Sequence, residues 1–203
     1  MLTLLRNIIK SVSCGCIEVD RSKLDNLKYI AGPYTNPLEI KLLAYTLSQV
    51  KGDYLEIGVN IGGTAVNVCQ NNPDRTIYGV DYIDGCTMHE KQAPEQPSIS
   101  NVGRLCKDQP NFKLILANSW MLKLPENIGM TFIDADHSYQ GVKNDTDNVL
   151  KQVRPGTVIF LHDYHNNLHP DYLRVNAFVD AELRDRFEMF EFRDTWLIGC
   201  ITK

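Results

Sequence analysis

From about Asp53 onward, short apolar β-branched runs alternate with helix-length amphipathic segments, and this alternation constrains the fold more than any other feature. The strand candidates are DYLEIG (53–58), TIYGVD (76–81), FKLILA (112–117), MTFIDA (130–135) and TVIFLHD (157–163). Each is nearly continuous in apolar residues, as strands covered on both faces should be. Helical patterns lie between them at 64–70, 99–107 and 139–153, the last ending at Arg154-Pro155-Gly156. Strand and helix in repetition predict right-handed crossovers, hence a mostly parallel, doubly wound α/β sheet with helices on both faces. Upstream, Asn36-Pro37 opens a helix that runs to Val50, where Lys51-Gly52 stops it. Downstream, 170–186 reads as one more helix, and EMFEF and TWLIGCI follow as a hairpin that puts an antiparallel strand at the sheet edge.

The N-terminal stretch MLTLLRNIIKSVSCGC is apolar only in part, because Arg6, Asn7 and Lys10 interrupt it. Leu2, Leu5, Ile9 and Val12 recur at helical spacing, so residues 1–50 are expected to form a helical cap on a domain spanning 51–203. No run is long enough to span a bilayer. The chain has 203 residues, a formal charge of −4 and no cluster of Lys or Arg, which disfavours a nucleic-acid partner. Cys14, Cys16, Cys69, Cys86, Cys106 and Cys200 show no repeated pair spacing, as expected for reduced thiols in a cytoplasmic protein.

YLEIGVNIGGTA (54–65) carries a strand into a glycine turn and a helix start. Glycines allow the sharp turn and let a ligand approach main-chain N–H groups. Their order, Gly58-x-x-x-Gly62-Gly63, is not the G-x-G-x-x-G of dinucleotide binders. The next strand ends in Asp81, 23 residues beyond Gly58, where a carboxylate can accept from both hydroxyls of a ribose.

Two further strand ends carry Asp134 and Asp163, with His137 three residues after the first. Two hard oxygen donors at neighbouring strand ends suit Mg²⁺ or Ca²⁺. Imidazole can act as a general base toward an acidic hydroxyl. Alternatively Asp136, His137 and Ser138 only start the helix near Tyr139, with Asp136 or Ser138 as its N-cap. His162, His165 and His169 crowd the same region and leave a zinc site as a further alternative, although no H-E-x-x-H helix accompanies them. Solvated loop histidines are the simpler reading for His165 and His169. The longest loop-like stretch is 82–100.

Taken in order, Glu56-x-Gly58-x-x-x-Gly62-Gly63-Thr64, YGVD and FIDADHSY…VRPGTVIFLHDY resemble the class I S-adenosylmethionine-dependent methyltransferases over roughly residues 50 to 200. The resemblance is greatest to small-molecule O-methyltransferases of the catechol and sugar types. It implies a Rossmann-like sheet of seven strands with an antiparallel C-terminal hairpin strand. It also implies S-adenosylmethionine as cofactor, a small-molecule hydroxyl as acceptor, no nucleic acid, no membrane, and an admissible homodimer. By the same resemblance Glu56, Gly58, Gly62, Gly63 and Thr64 approach the methionine part of the cofactor. Asp81 holds the ribose, Tyr82 lies beside the adenine, and Asn118 and Ser119 touch its edge; Asp134 borders both cofactor and acceptor. Trp120 is assigned to core or lid packing as readily as to the site. His137 stands where catechol-type relatives place a lysine base, and Asp134 and Asp163 stand where several relatives hold Mg²⁺ or another divalent cation. This chain departs from them in having His162-Asp163-Tyr164, which leaves an Asp-Asp-Asn or three-carboxylate ion set incomplete. Two other readings of the same residues are a metal-dependent hydrolase and an inactive nucleotide-binding module.

Overall fold

The computed structural model describes residues 1–30, 35–82 and 101–203. Cys86, most of the 82–100 loop and the start of the helix expected at 99–107 fall outside them. From Asn101 on, that segment holds only turns and one 3₁₀ turn at Arg104–Cys106 instead of an α-helix. Gly103 at φ +66° breaks the helical path immediately before it.

The five expected strands appear as β3 (Asp53–Ile57), β4 (Ile77–Asp81), β5 (Phe112–Leu116), β6 (Ile128–Ile133) and β7 (Val158–Leu161). They are preceded by β1 (Ile9–Ser13) and β2 (Cys16–Val19) and followed by β8 (Phe190–Phe192) and β9 (Ile198–Ile201). The sheet order is β1-β2-β8-β9-β7-β6-β3-β4-β5, so among the described residues nine strands stand in place of the seven expected. β5, β4, β3, β6 and β7 are mutually parallel, and β9 runs antiparallel to both β7 and β8.

The two additional strands come from the segment expected to be helical. Within residues 1–19, α1 (Leu2–Leu5) is the one helix, and β1 and β2 take the place of the rest of the expected N-terminal helix. Cys14 at φ +49° and Gly15 at φ +82° form a two-residue reversal, and positive φ at both central positions is what a tight hairpin requires. β2 then pairs in parallel with β8 through Cys16↔Glu191 and Ile17↔Phe192. Satisfying the open backbone edge of β8 outweighs the weak helical periodicity of Leu2, Leu5, Ile9 and Val12. The C-terminal hairpin is therefore interior, and β1 is the edge.

The side-chain alternation of the central strands builds two cores. Tyr54, Met130, Phe132, Val158 and Phe160 point to the face covered by α2 (Pro37–Gln49) and α3 (Gly63–Asn71). Leu55, Ile57, Ile133, Ile159 and Leu161 point to the opposite face. There they meet α4 (Tyr139–Gln152) and α5 (Leu173–Phe178), which continues into a wider π turn at Val179–Leu183. Tyr54, Phe132 and Phe160 are fully buried, and each such side chain contributes roughly 2–3 kcal/mol.

Helix starts are chemically explicit. Asn36 caps α2 by accepting from Leu38 and Glu39 backbone N–H, with Pro37 at the first turn. Ser138 caps α4 by accepting from Gly141 N–H, and Asp136 in turn accepts from Ser138 N–H at 2.8 Å. No described helix is long and apolar enough to cross a membrane.

Candidate active site

The carboxyl ends of β4, β3, β6 and β7 lie side by side, and Glu56, Asp81, Asp134, His137 and Asp163 sit there. At the end of β3, Gly58 (φ +91°) passes directly under the chain of β6. A Cβ on it would lie 2.1 Å from the Asp134 carbonyl oxygen. Gly62 (φ +90°) starts α3 in a left-handed conformation. Between them Asn60 N–H donates to Asp81 Oδ2 at 2.6 Å, and Tyr82 N–H donates to Oδ1 at 2.8 Å. Burial raises the Asp81 pKa, and these backbone donors oppose the rise. Asp81 thus faces the glycine turn as a carboxylate already held by main-chain donors.

Glu56 is almost completely enclosed and accepts from the Tyr54 hydroxyl at 3.0 Å. Burial drives its pKa well above the normal range, and the charges of Asp134 and Asp81 add to that. Burial thus favours the neutral form of this carboxyl, opposed by the hydrogen bond from Tyr54. Thr64 is also buried, with its hydroxyl 2.9 Å from that of Thr35, while Gly63 is the first residue of α3.

After β5, Asn118 Oδ1 accepts from Trp120 N–H at 3.0 Å, and the Ser119 hydroxyl donates to Asp145 of α4. Trp120 is 46% exposed, so it is not a core residue. Burial raises the Asp145 pKa to about 6, opposed by Ser119. In the unfolded chain this carboxyl titrates near 3.9, so the folded state binds more protons between those values. The ionised form consequently costs stability above pH 6, and the cost vanishes below about pH 4. D145N, which keeps an acceptor for Ser119, is expected to gain on the order of 2–3 kcal/mol at pH 8 and almost nothing at pH 4. Urea unfolding of both proteins at the two pH values checks this.

On the other side of β3 lies a compact cluster. His137 Nε2 is 2.8 Å from Asp163 Oδ2 and 3.4 Å from Asp134 Oδ1. His162 Nδ1 is 3.2 Å from Asp134 Oδ1 and 3.5 Å from Asp163 Oδ1, and its Nε2 is 3.2 Å from Glu39 Oε2. Burial disfavours charge on both rings, but the carboxylates outweigh it. The His137 pKa rises to about 9, and that of His162 rises well above its usual value. Burial alone would raise Asp134 and Asp163 as well, yet the two imidazoles hold both down, Asp163 to about 2 and Asp134 lower still. Asp163 adopts φ +60° and is held there in part by Asn166 Nδ2 at 2.5 Å. A residue kept in the left-handed region at a strand end is a feature of sites where the backbone must aim a side chain.

The structure thus brings Asp134, His137 and Asp163 together, with Asp81 and the glycine turn one strand away. Tyr82 is about half exposed beside Asp81. Asp134, His162 and Asp163 each offer one donor atom, and the three atoms lie within 4.8 Å of one another. His165 and His169 are outside this set; they pair with Glu191 and Asp171 at the surface. Glu39 is the residue that sequence reasoning passed over. Asn36-x-x-Glu39 is legible as a capping box, but nothing local indicates that its carboxylate reaches His162, 123 positions away.

Residues 55–164 match a family described as a methyltransferase domain. The chain is 26% identical over 169 residues to an uncharacterised protein, R132, of Acanthamoeba polyphaga mimivirus, covering 78% of this chain and 72% of that one. Among solved structures, the SAH-bound Podospora anserina methyltransferase PaMTH1 superposes with a TM-score of 0.63 at 15% identity, over 83% of this chain and 79% of that one. The Bacillus cereus O-methyltransferase in complex with SAH gives 0.56 at 17%, over 90% and 86%. TomG of Streptomyces achromogenes, an O-methyltransferase in complex with SAM, gives 0.55 at 16%, over 90% and 86%. By its sequence match this chain belongs to the methyltransferase-domain family, and it has the fold of these O-methyltransferases.

Proposed function

We propose that the chain transfers a methyl group from S-adenosylmethionine to an acidic hydroxyl of a small molecule. The observation that carries this reading is one sheet edge bearing two adjacent halves. One half is the glycine turn with Asp81; the other is Asp134, His137 and Asp163.

Asp81 is assigned to the ribose hydroxyls, with Tyr82, Asn118 and Ser119 around the adenine. Glu56, Gly58, Gly62, Gly63 and Thr64 are assigned to the methionine end. The fit rests on donor chemistry. Asp81 is a carboxylate fixed by two backbone N–H groups, and α3 begins with main-chain N–H groups beside it. The cofactor, when bound, supplies an electrophilic methyl on a sulfonium.

The residues of the chain do the rest. His137 accepts the proton that the acceptor oxygen loses. Asp163 and Asp134 orient the ring and stabilise the imidazolium that results. A base whose pKa is about 9 is matched to a hydroxyl of similar acidity, such as a phenol, and poorly matched to an ordinary alcohol. Asp134, Asp163 and His162 fit a divalent cation, and one nitrogen with two oxygens suits Mn²⁺, Fe²⁺ or Zn²⁺ better than Mg²⁺. Such an ion would polarise the acceptor oxygen as a Lewis acid.

Calorimetric titration with S-adenosylmethionine, alone and with Mg²⁺ or Mn²⁺, followed by mass spectrometry of phenolic acceptors, tests the reading. Binding and a methylated phenol are expected; no binding under any condition would sink it. Retained metal without cofactor affinity would favour a metal-dependent hydrolase instead. D81A should weaken cofactor binding roughly 10- to 100-fold, the value of hydrogen bonds to a charged group. An unchanged affinity would remove Asp81 from the site.

A further inference from the structure

We propose that Glu39, on a helix outside the matched methyltransferase segment, is a positioning residue of the acceptor cluster. It keeps a proton on His162 Nε2, so that Nδ1 is the nitrogen turned toward Asp134 and Asp163, protonated while they are its partners and the one that gives up its proton to a cation. The consequence for catalysis rests on the proposed function; the proton assignment does not.

Glu39 is fully buried at the third position of α2. Its carboxylate receives three donors from three parts of the chain. Oε2 accepts from Asn36 N–H at 3.0 Å and faces His162 Nε2 at 3.2 Å, while Oε1 accepts from Trp196 N–H at 2.6 Å. A capping role would require only the first of these, and glutamine serves a capping box as well as glutamate. Glutamine has a single acceptor oxygen, and its NH₂ would be pushed against one of the remaining donors. Three converging N–H groups in a dry site need both oxygens of a carboxylate.

The imidazole has little freedom to turn away. Its ring packs edge-on against Phe132 (5.7 Å between centroids) and Trp196 (6.2 Å), and His162 N–H is tied to the Ile133 carbonyl at 3.1 Å. With Nε2 committed to Glu39, the nitrogen left for Asp134, Asp163 or a cation is Nδ1. Which ring nitrogen serves the site is set by the bond the other one makes. Partners of this outer kind typically change metal affinity 10- to 100-fold when removed.

The test begins with the wild-type protein labelled with ¹⁵N-histidine. At pH 7 a long-range ¹H–¹⁵N correlation, with His162 assigned by its loss in H162N, should show Nε2 protonated and slow to exchange, with or without Zn²⁺. Added Zn²⁺ should move Nδ1 only. A bare Nε2, or Zn²⁺ acting on Nε2, overturns the proposal. E39Q should lose the protected Nε2–H and bind Zn²⁺ 10- to 100-fold more weakly, with SAH affinity unchanged within about twofold. A folded E39Q that keeps both the signal and the Zn²⁺ affinity also overturns it. If E39Q does not fold, the wild-type response to Zn²⁺ decides: loss of the Nδ1 proton with Nε2–H retained supports the proposal, and loss of Nε2–H overturns it. SAH binding by the wild type reports separately on the methyltransferase reading.

Discussion

Replacing His137 by alanine is expected to lower turnover 10²- to 10⁴-fold while cofactor affinity stays within about twofold, the range by which a positioned general base contributes. The ring sits 2.8 Å from Asp163 and on the far side of β3 from Asp81, so its removal touches none of the groups assigned to the ribose, the adenine or the methionine end; Asp134, 3.4 Å away, is the one neighbour it shares with the cofactor side. Alanine also leaves two buried carboxylates with one imidazole between them, which destabilises the fold. H137Q separates the two effects, because its amide can still donate to Asp163 but accepts no proton. Both variants should lose turnover, and H137Q should keep most of the stability. The neutral imidazole becomes the major form only as pH rises to about 9. Wild-type turnover should therefore climb with pH up to that value, and neither variant should show the climb. Equal loss of cofactor binding in H137A and D81A, measured by calorimetry, would contradict the division of roles.

What could be seen in the sequence follows from how local each determinant is. β3, β4, β6 and β7 were readable to within two residues at every end because strands buried on both faces leave unbroken apolar runs. The polar residues at or just past their ends, Asp81, Asp134 and Asp163, mark the carboxyl edge for the same reason. β5 was equally readable although its side chains are largely exposed, since backbone pairing with β4 rather than burial sets its course. The N-terminal hairpin was not readable, because β2 joins the sheet only by pairing with β8, which lies more than 170 residues away in sequence, and β1 in turn pairs only with β2. Cys14-Gly15 was the one local signal for that turn. The cluster itself shows the same limit. Asp134 and His137 are three apart, so their proximity is local, whereas the Glu39–His162 and Ser119–Asp145 contacts join separate elements and have no local signature.

The largest loss of stability is expected from Gly58→Ala. A residue with a side chain at φ +91° carries backbone strain of roughly 1–2 kcal/mol, which glycine avoids. Space is the greater obstacle. The new Cβ would lie 2.1 Å from the Asp134 carbonyl oxygen, 2.6 Å from its carbon and 2.7 Å from Ala135 Cα. All three are backbone atoms, so no side chain can rotate aside. Relief requires β3 and β6 to separate where Asp134 N–H donates to the Ile57 carbonyl at 2.9 Å, beside the Ile57↔Ile133 pair. Strain, overpacking and a broken ladder together should cost more than about 4 kcal/mol, a large share of the 5–15 kcal/mol that holds a domain. Gly156→Ala isolates the strain alone, for Gly156 has φ +88° and nothing within 4 Å of its Cβ position. It should lose only about 1–2 kcal/mol. The same close approach explains why the two halves of the site are adjacent: without a Cβ at 58, the strand that leads into the glycine turn can lie against the strand that ends in Asp134. Any G58A protein that folds should therefore bind S-adenosylmethionine more weakly, although residue 58 itself gains only a methyl group. Urea unfolding of both alanine variants checks the energies. Similar losses at 58 and 156 would show that backbone strain, and not the contact with β6, is what glycine relieves at the turn.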